Sequence, residues 1–382
     1  MMNFLLIAVL IIAVVTIAQV LRLMELSSKI GGEDVNDVTD KDNDKQGRNL
    51  LIFGILFILA FFYQTYRWGG LALPVAASEH GVGYDNLMNV TMGIIIFVFL
   101  VTMPLLFWFS YKYRGVNGRK ATFFSHNNKL ELIWTVIPAI ALTVLITYGM
   151  SLWNDIMFPE NPKDSLQVEV YAKQFDWTVR YSGEDNKLGQ ANVRYVGGQN
   201  ITGVISKSSS KARIAELTEE LVSAKKIAST NRNAIKVRKA KDEIAKLKKK
   251  IDLIKAIELQ TTVDDLAIAE DDIIVKELHL PIGRQVQLNF RSQDIIHSAY
   301  LPHFRVQMNC VPGAKTSFTF VPTKTTQEMK EITENDEFEY VLMCNKICGA
   351  AHYNMQLKVV VESQEDYDKW MSEQKTLTAS LL

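Results

Sequence analysis

Cys344 and Cys348 stand four residues apart in the stretch CNKICGAAHYNM, which also holds His352 and Met355, and His297 lies upstream in DIIHSAYLPHF. Two thiolates, two imidazoles and a thioether form the donor set that soft copper selects over harder metals. One thiolate would suggest a single-copper site of the blue type. Two thiolates on one tight loop can instead bridge two copper ions, with one histidine terminating each. Two metals sharing one electron rearrange little when it arrives or leaves, so the chemistry expected is electron transfer.

Two other readings compete for these residues. Three cysteines in an extracytoplasmic domain allow a disulfide between Cys344 and Cys348. Zinc could take two Cys and two His, but Met355 would then be idle and the spacing is not that of a finger. Softness, ligand count and spacing agree best on copper. Cys310, in QMNCVPG, falls outside this spacing and is expected to pack as a small buried hydrophobe.

The elements that carry these residues follow from the distribution of charge. The chain has 382 residues, a formal net charge of zero and 48% hydrophobic content. The neutral total conceals a partition: apolar runs crowd the first 155 residues and charge crowds the rest, the layout of a membrane anchor followed by a soluble domain. Apolar segments at 4–21, 90–109 and 132–153 are each long enough to span a bilayer. The segment 50–63 is short by itself, and Gln64, Thr65, Tyr66 and Trp68 can extend it to the interface.

Basic residues give an orientation. Lys112, Arg114, Arg119, Lys120 and Lys129 lie between the third and fourth segments without an acid among them, so this loop is expected to face the cytoplasm. The loop 69–87 has no Lys or Arg and is expected outside, as are the N-terminus and the domain after Trp153; Arg67 sits on the wrong side in this scheme. No basic residue precedes the first apolar run, and the first positive charge is Arg22, so an uncleaved span is expected rather than a signal peptide.

From residue 166 the pattern changes to alternation. LQVEVYAKQFDWTVRY, IIVKELHLPIG, QVQLNFRS, TSFTFVPT, FEYVLMC and MQLKVVVES read as short strands parted by turn residues, which predicts a sandwich or barrel. With a copper loop between two of the last strands, the fold expected is a membrane-anchored, all-β, cupredoxin-like Greek-key β-sandwich. EDYDKWMSEQ predicts a closing helix docked by Tyr367 and Trp370.

One segment interrupts the sandwich. Ile214, Leu217, Leu221, Ala224 and Ala228, then Val237, Ala240, Ile244, Leu247, Ile251 and Ile254, step by three and four as a coiled-coil seam does. With a turn at 229–231 this predicts an inserted antiparallel α-helical hairpin. From 203 to 260, Lys and Arg outnumber Asp and Glu by fifteen to seven. Such an arm is either a solvated projection or a docking element for a neighbouring subunit or anionic lipid.

The chain resembles subunit II of cytochrome c oxidase, the subunit of haem–copper oxidases that carries the CuA centre. The matching segments are LELIWTVIPA at 130–139, AKQFDWTVRY at 172–181, ELHLPIG at 277–283, DIIHSAYLPHFRVQMNCVPG at 294–313 and CNKICGAAHYNM at 344–355. The first 87 residues and 203–260 have no counterpart in the family pattern. The organisation expected is extra membrane segments at 1–87, a transmembrane hairpin at 88–155, a CuA domain at 165–363 interrupted by the hairpin at 203–260, and a closing helix and tail at 364–382.

The resemblance implies a dinuclear CuA held by His297, Cys344, Cys348, His352, Met355 and the backbone carbonyl of Lys346. It implies an electron taken from a cytochrome c and passed to haem in the catalytic subunit I, where oxygen is reduced with proton pumping. This chain has no CxxCH and no haem site is expected in it. The partners implied are subunit I, other oxidase subunits, the cytochrome and the lipid bilayer, with no nucleic acid. The location is a bacterial inner membrane, crossed several times, with the copper domain on the periplasmic side.

Phe175 falls where the family often places a tryptophan over the copper as the electron gateway, and Trp177, on the same face of a strand, could substitute. Asp294 matches an acid used to dock basic cytochromes. Glu131 matches a carboxylate at the mouth of a proton channel, beside its simpler role at a helix N-terminus. Most relatives carry at position 346 a glutamate that helps to hold magnesium. Lys346 departs from that pattern, and its charge could take the ion's place. The alternatives are a copper subunit of a nitric or nitrous oxide reductase, and a membrane-tethered copper carrier.

Overall fold

The computed structural model describes residues 2–30, 38–123, 125–159 and 164–381, with side chains in the first helix described at 11–27 and 30. The chain divides into two compact units, 1–73 with 91–138, and 74–90 with 139–382.

Four long helices come first: α1 (Met2–Ile30), α2 (Asp40–Trp68), α3 (Glu79–Lys112) and α4 (Asn128–Met157). Among the described residues three helical stretches are long and apolar enough to cross a membrane: Asp40–Leu71, Glu79–Lys112 and Asn128–Met157. The segment expected at 4–21 lies within α1, and its side chains at 4–10 fall outside the described residues. The segment that looked short at 50–63 belongs to a 29-residue helix. Thr39 and Asp42 form a capping box that starts α2 ten residues before its apolar run.

In the first unit α2 and α3 run antiparallel. Phe53 meets Phe107 at 5.8 Å while Phe61 meets Phe99 at 4.7 Å between ring centroids. Gly54 permits the approach, because any side chain there would run into Phe107. At one end Arg114 pairs with Asp44 at 2.7 Å, and Asp40 accepts the Asn117 amide at 2.9 Å. The start of α2 and the start of the basic loop therefore lie side by side.

The second unit holds the sandwich. Its elements in chain order are β1 (Leu166–Lys173), β2 (Asp176–Tyr181), α5 (Lys207–Thr230), α6 (Ala234–Gln260), α7 (Val263–Ile268), β3 (Ile273–Val275), β4 (Leu278–Pro281), β5 (Val286–Ser292), β6 (His297–Leu301), β7 (Val306–Cys310), β8 (Thr316–Phe320), α8 (Thr326–Ile332), β9 (Tyr340–Cys344), β10 (Gln356–Glu362), α9 (Gln364–Ser372) and α10 (Leu377–Leu381). One sheet has the order β3-β2-β1-β5-β8 and the other β4-β10-β9-β6-β7. β1 pairs parallel with β5, and β4 with β10; the other pairs are antiparallel. Val168, Val170, Leu288 and Phe290 from one sheet and Leu342, Val359, Ala299 and Leu301 from the other belong to one buried core. Alternation is cleanest in β5, where Val286, Leu288 and Phe290 point inward and Gln287 and Asn289 outward.

β1 departs from alternation because it is covered on both faces. Glu169 and Arg180, which a one-sided strand would expose, are buried and joined at 2.5 Å. Asp272 meets Arg180 at 2.6 Å, and Arg291 meets Glu169 at 2.8 Å. Two acids and two guanidinium groups thus pair with one another beneath the segments that lead to and from the helical insertion. Burial of that many charges is tolerated only when they are mutually paired.

The insertion is the expected antiparallel hairpin, placed between β2 and β3. Leu217, Ala224, Ala240, Leu247 and Ile254 are buried along the predicted seam. The turn falls at 231–233, two residues later than expected, because Asn231 and Asn233 cap the two helices. Tyr195 anchors the root, donating its hydroxyl proton to the Ile254 carbonyl at 3.1 Å. At the C-terminus Tyr367 is buried and Trp370 stacks on His279 at 3.9 Å, docking α9 as its spacing predicts.

Candidate metal centre

Three loops converge at one end of the sandwich. The first is the tight turn Gln174–Phe175 between β1 and β2, the second leads from β5 to β6, and the third joins β9 to β10. His297 opens β6 and is fully buried; Cys344 ends β9, pairing with the neighbouring strand through Ala299. Sheet pairing therefore holds the first histidine and the first cysteine side by side although 47 residues separate them.

The loop after Cys344 is shaped by its own backbone. The Asn345 amide donates to the Ser298 carbonyl at 2.8 Å, and the Cys344 amide to the Met355 carbonyl at 3.1 Å. A single turn at His352–Asn354 returns the chain to β10. Gly349 has φ of +136°, a conformation that side chains disfavour, and a Cβ there would lie 2.8 Å from the Phe175 ring.

Inside this frame the donor atoms gather. Cys344 Sγ lies 3.8 Å from His297 Nδ1 and 3.8 Å from Cys348 Sγ. Cys348 Sγ lies 3.5 Å from His352 Nδ1 and 3.8 Å from Met355 Sδ. The Cys344 thiol donates to the Lys346 carbonyl at 3.2 Å. Donor atoms of His297, Cys344 and Cys348 fall within 4.8 Å of one another, close enough to hold a metal ion. Neither cysteine is in a disulfide. A sulfur separation of 3.8 Å is nearly twice the length of an S–S bond.

The donor set has room for two ions as well as for one. A thiolate bonds a soft metal at about 2.3 Å. Two sulfurs 3.8 Å apart can each reach an ion placed off the line joining them, on either side of it. A histidine nitrogen flanks each sulfur. Burial pushes the Cys348 thiol up to about 11, with the neighbouring Cys344 adding to the shift. A thiol that holds its proton this firmly becomes a thiolate near neutral pH only when a metal replaces the proton.

Second contacts orient the ligands. His297 Nε2 faces Asp294 Oδ1 at 2.9 Å, which puts the ring proton on Nε2 and turns the Nδ1 lone pair toward Cys344. Asp294 is partly desolvated, which opposes its charge, but the Gln174 amide at 2.7 Å and the His297 ring hold its carboxyl below the usual range. Trp177 is fully buried, with its ring edge-on to His297 at 6.1 Å and its Nε1–H on the Met355 carbonyl at 3.3 Å.

Several expectations change in this light. Phe175 and Trp177 do not share a strand face: Phe175 lies in the turn, part-exposed against Gly349, and Trp177 lies beneath the site. Strand alternation does not carry through a two-residue turn. Asp294 is exposed, as a docking acid would be, and it also contacts His297 and Gln174. Lys346 joins the site through its carbonyl, and its side chain is exposed. Glu131 lies in the first turn of α4, in the other unit from the donor cluster. Cys310 is buried in the core opposite His297, and burial pushes its thiol up to about 12.

Gln174 was not legible beforehand. Its amide nitrogen holds Asp294 and its side chain donates to the Cys348 carbonyl at 2.5 Å, so one residue ties the first loop to the other two. Its position beside Phe175 was the only available signal.

Comparison with known proteins gives the family. The transmembrane-domain family model of cytochrome C oxidase subunit II matches residues 66–152, and the periplasmic-domain model of the same subunit matches 253–364. The alternative cytochrome c oxidase subunit 2 of Bradyrhizobium diazoefficiens is 27% identical over 330 residues, 86% of this chain and 91% of that protein. The cytochrome c oxidase subunit 2 of Thermostichus vulcanus is 25% identical over 332 residues, 86% of each chain. The solved periplasmic domain of subunit II of cytochrome oxidase from Bradyrhizobium japonicum aligns with 57% of this chain and 96% of its own, at 14% identity and a TM-score of 0.28. Both family models describe one subunit of one enzyme, and together they cover 66–152 and 253–364. The chain belongs to the cytochrome c oxidase subunit II family and is a component of that enzyme.

Proposed function

We propose that this chain is the electron-accepting subunit of its oxidase, with a dinuclear CuA centre held by His297, Cys344, Cys348, His352, Met355 and the Lys346 carbonyl. The observation that carries the reading is the pair of sulfurs 3.8 Å apart, each beside a histidine Nδ1. When bound, the two coppers supply a one-electron couple with little geometric change. The chain's own residues do the rest. Asp294 fixes the tautomer of His297, Gln174 ties the three loops together, and Trp177 and the core beneath exclude water.

The donor is a cytochrome c, and the acceptor is haem in the catalytic subunit, where oxygen is reduced and protons are pumped. Phe175, part-exposed over Gly349, is the aromatic group through which the donor approaches. Glu131, in the first turn of α4, serves proton uptake. The chain crosses a bacterial inner membrane several times, with the copper domain in the periplasm. Burial of His297, Cys348 and Met355 disfavours a copper carrier, which needs an exchangeable site.

Electron paramagnetic resonance of the oxidised, copper-loaded full-length protein tests this directly. One spin shared equally over two copper nuclei is expected, and Cys348→Ser abolishes the sharing. Hyperfine coupling to a single nucleus, or preferential zinc loading, would overturn the proposal.

A further inference from the structure

Where α3 ends, residues 112–122 turn around a cavity of about 690 Å³, within the range of about 300–1,000 Å³ that holds small ligands. Lys112, Arg114, Arg119 and Lys120 line it, and among the described residues no carboxylate does. Arg114 is committed to Asp44 and to the Tyr111 carbonyl. Arg119 places one nitrogen on the Lys112 carbonyl at 2.8 Å, its one hydrogen bond to the described residues. No carboxylate among the described residues pairs with Lys112, Arg119 or Lys120. Lys112, Arg119 and Lys120 are exposed, and a cluster of like charges on one short segment favours an anion among them.

A second cavity, of about 350 Å³, runs between α2 and α3. Leu51, Ile55, Leu59, Pro104 and Trp108 are among its walls, which carry no charged side chain. Pro104, Trp108 and Lys112 follow one another at intervals of four, so a single face of α3 leads from the apolar groove to the basic cavity. Trp108 and Lys112 are about 6 Å apart along the axis. Trp108, Tyr111 and Tyr113 gather at this level, as aromatic residues do where a bilayer meets water.

We infer that the end of α3 binds an anionic phospholipid, its phosphate among Lys112, Arg119 and Lys120 and an acyl chain in the groove past Trp108. A soluble anion would satisfy the cavity and leave the groove unfilled. An uncharged lipid chain would fill the groove and leave the cations unpaired. A lipid of net negative charge satisfies both, and basic pockets at helix ends bind such headgroups.

The test is lipid retention by the full-length protein in detergent, measured by native mass spectrometry on titration with phosphatidylglycerol, phosphatidylcholine or inorganic phosphate. Phosphatidylglycerol is expected to bind and to raise the melting temperature; phosphatidylcholine and phosphate are not. The triple variant Lys112→Gln, Arg119→Gln, Lys120→Gln loses affinity on the order of 100-fold, about fivefold for each cation. Ile58→Trp, which fills the groove without touching a charge, lowers phosphatidylglycerol affinity while circular dichroism stays unchanged. Equal binding by the triple variant and the parent overturns the inference. So does full competition by inorganic phosphate, which would mean a site for soluble anions.

Discussion

His297 Nε2 lies 2.9 Å from Asp294 Oδ1, and this contact decides that Nδ1 is the nitrogen facing Cys344. Removing such an outer partner costs about 10- to 100-fold in metal affinity. Asp294→Ala is therefore expected to bind copper that much more weakly, read by competition with a chelator. If affinity is unchanged, the tautomer is set elsewhere.

Lys346 reaches the site through its carbonyl only. Lys346→Ala should leave the optical and resonance spectra of the copper-loaded protein as they are, because the backbone is retained. A shift in either spectrum would mean that the ammonium group acts on the metals.

Phe175 and Trp177 have separable roles. Phe175→Ala, at an exposed turn, should slow reduction by cytochrome c tenfold or so without changing the copper spectrum. Trp177→Ala removes a fully buried ring against His297 and should cost about 3–5 kcal/mol of stability while disturbing the spectrum. Stopped-flow reduction and denaturant unfolding distinguish the two.

Burial raises the Asp272 carboxyl to about 7 despite Arg180 beside it. The folded state then holds a proton that the unfolded chain has lost, so the contribution of this group to stability falls as pH rises from about 4 to about 7 and is flat beyond. The swing cannot exceed about 4 kcal/mol. Urea unfolding across this range should show the decline, and Asp272→Asn should flatten it.

The hairpin packs around its own cluster, Tyr195, Leu217, Leu247 and Ile254, separate from the sandwich core. Replacing 221–243 with a short Gly/Ser linker keeps that root and should leave the copper spectrum intact. A lost spectrum would show that the tip supports the site.

The local elements were legible because each carries its period in its own residues. The membrane segments, the seam of α5 and α6 and the alternation of β5 need no distant partner to be recognised, and the spacing of Cys344, Cys348, His352 and Met355 lies within one loop. His297 lies 47 residues before Cys344, and the pairing of β6 with β9 accounts for its joining them. What lay beyond the sequence is what depends on tertiary approach. The turn at Gln174–Phe175 separates two aromatic residues that strand alternation would have aligned. Asp294 stays at the surface, and its contacts with His297 and Gln174 exist only once the loops are brought together. Glu169 and Arg180 lie on the face that alternation alone turns to solvent, and they are buried partners because the insertion's flanks cover the second face of β1. Periodicity records which face a residue takes in its own element; which other element covers that face is decided only when the chain folds.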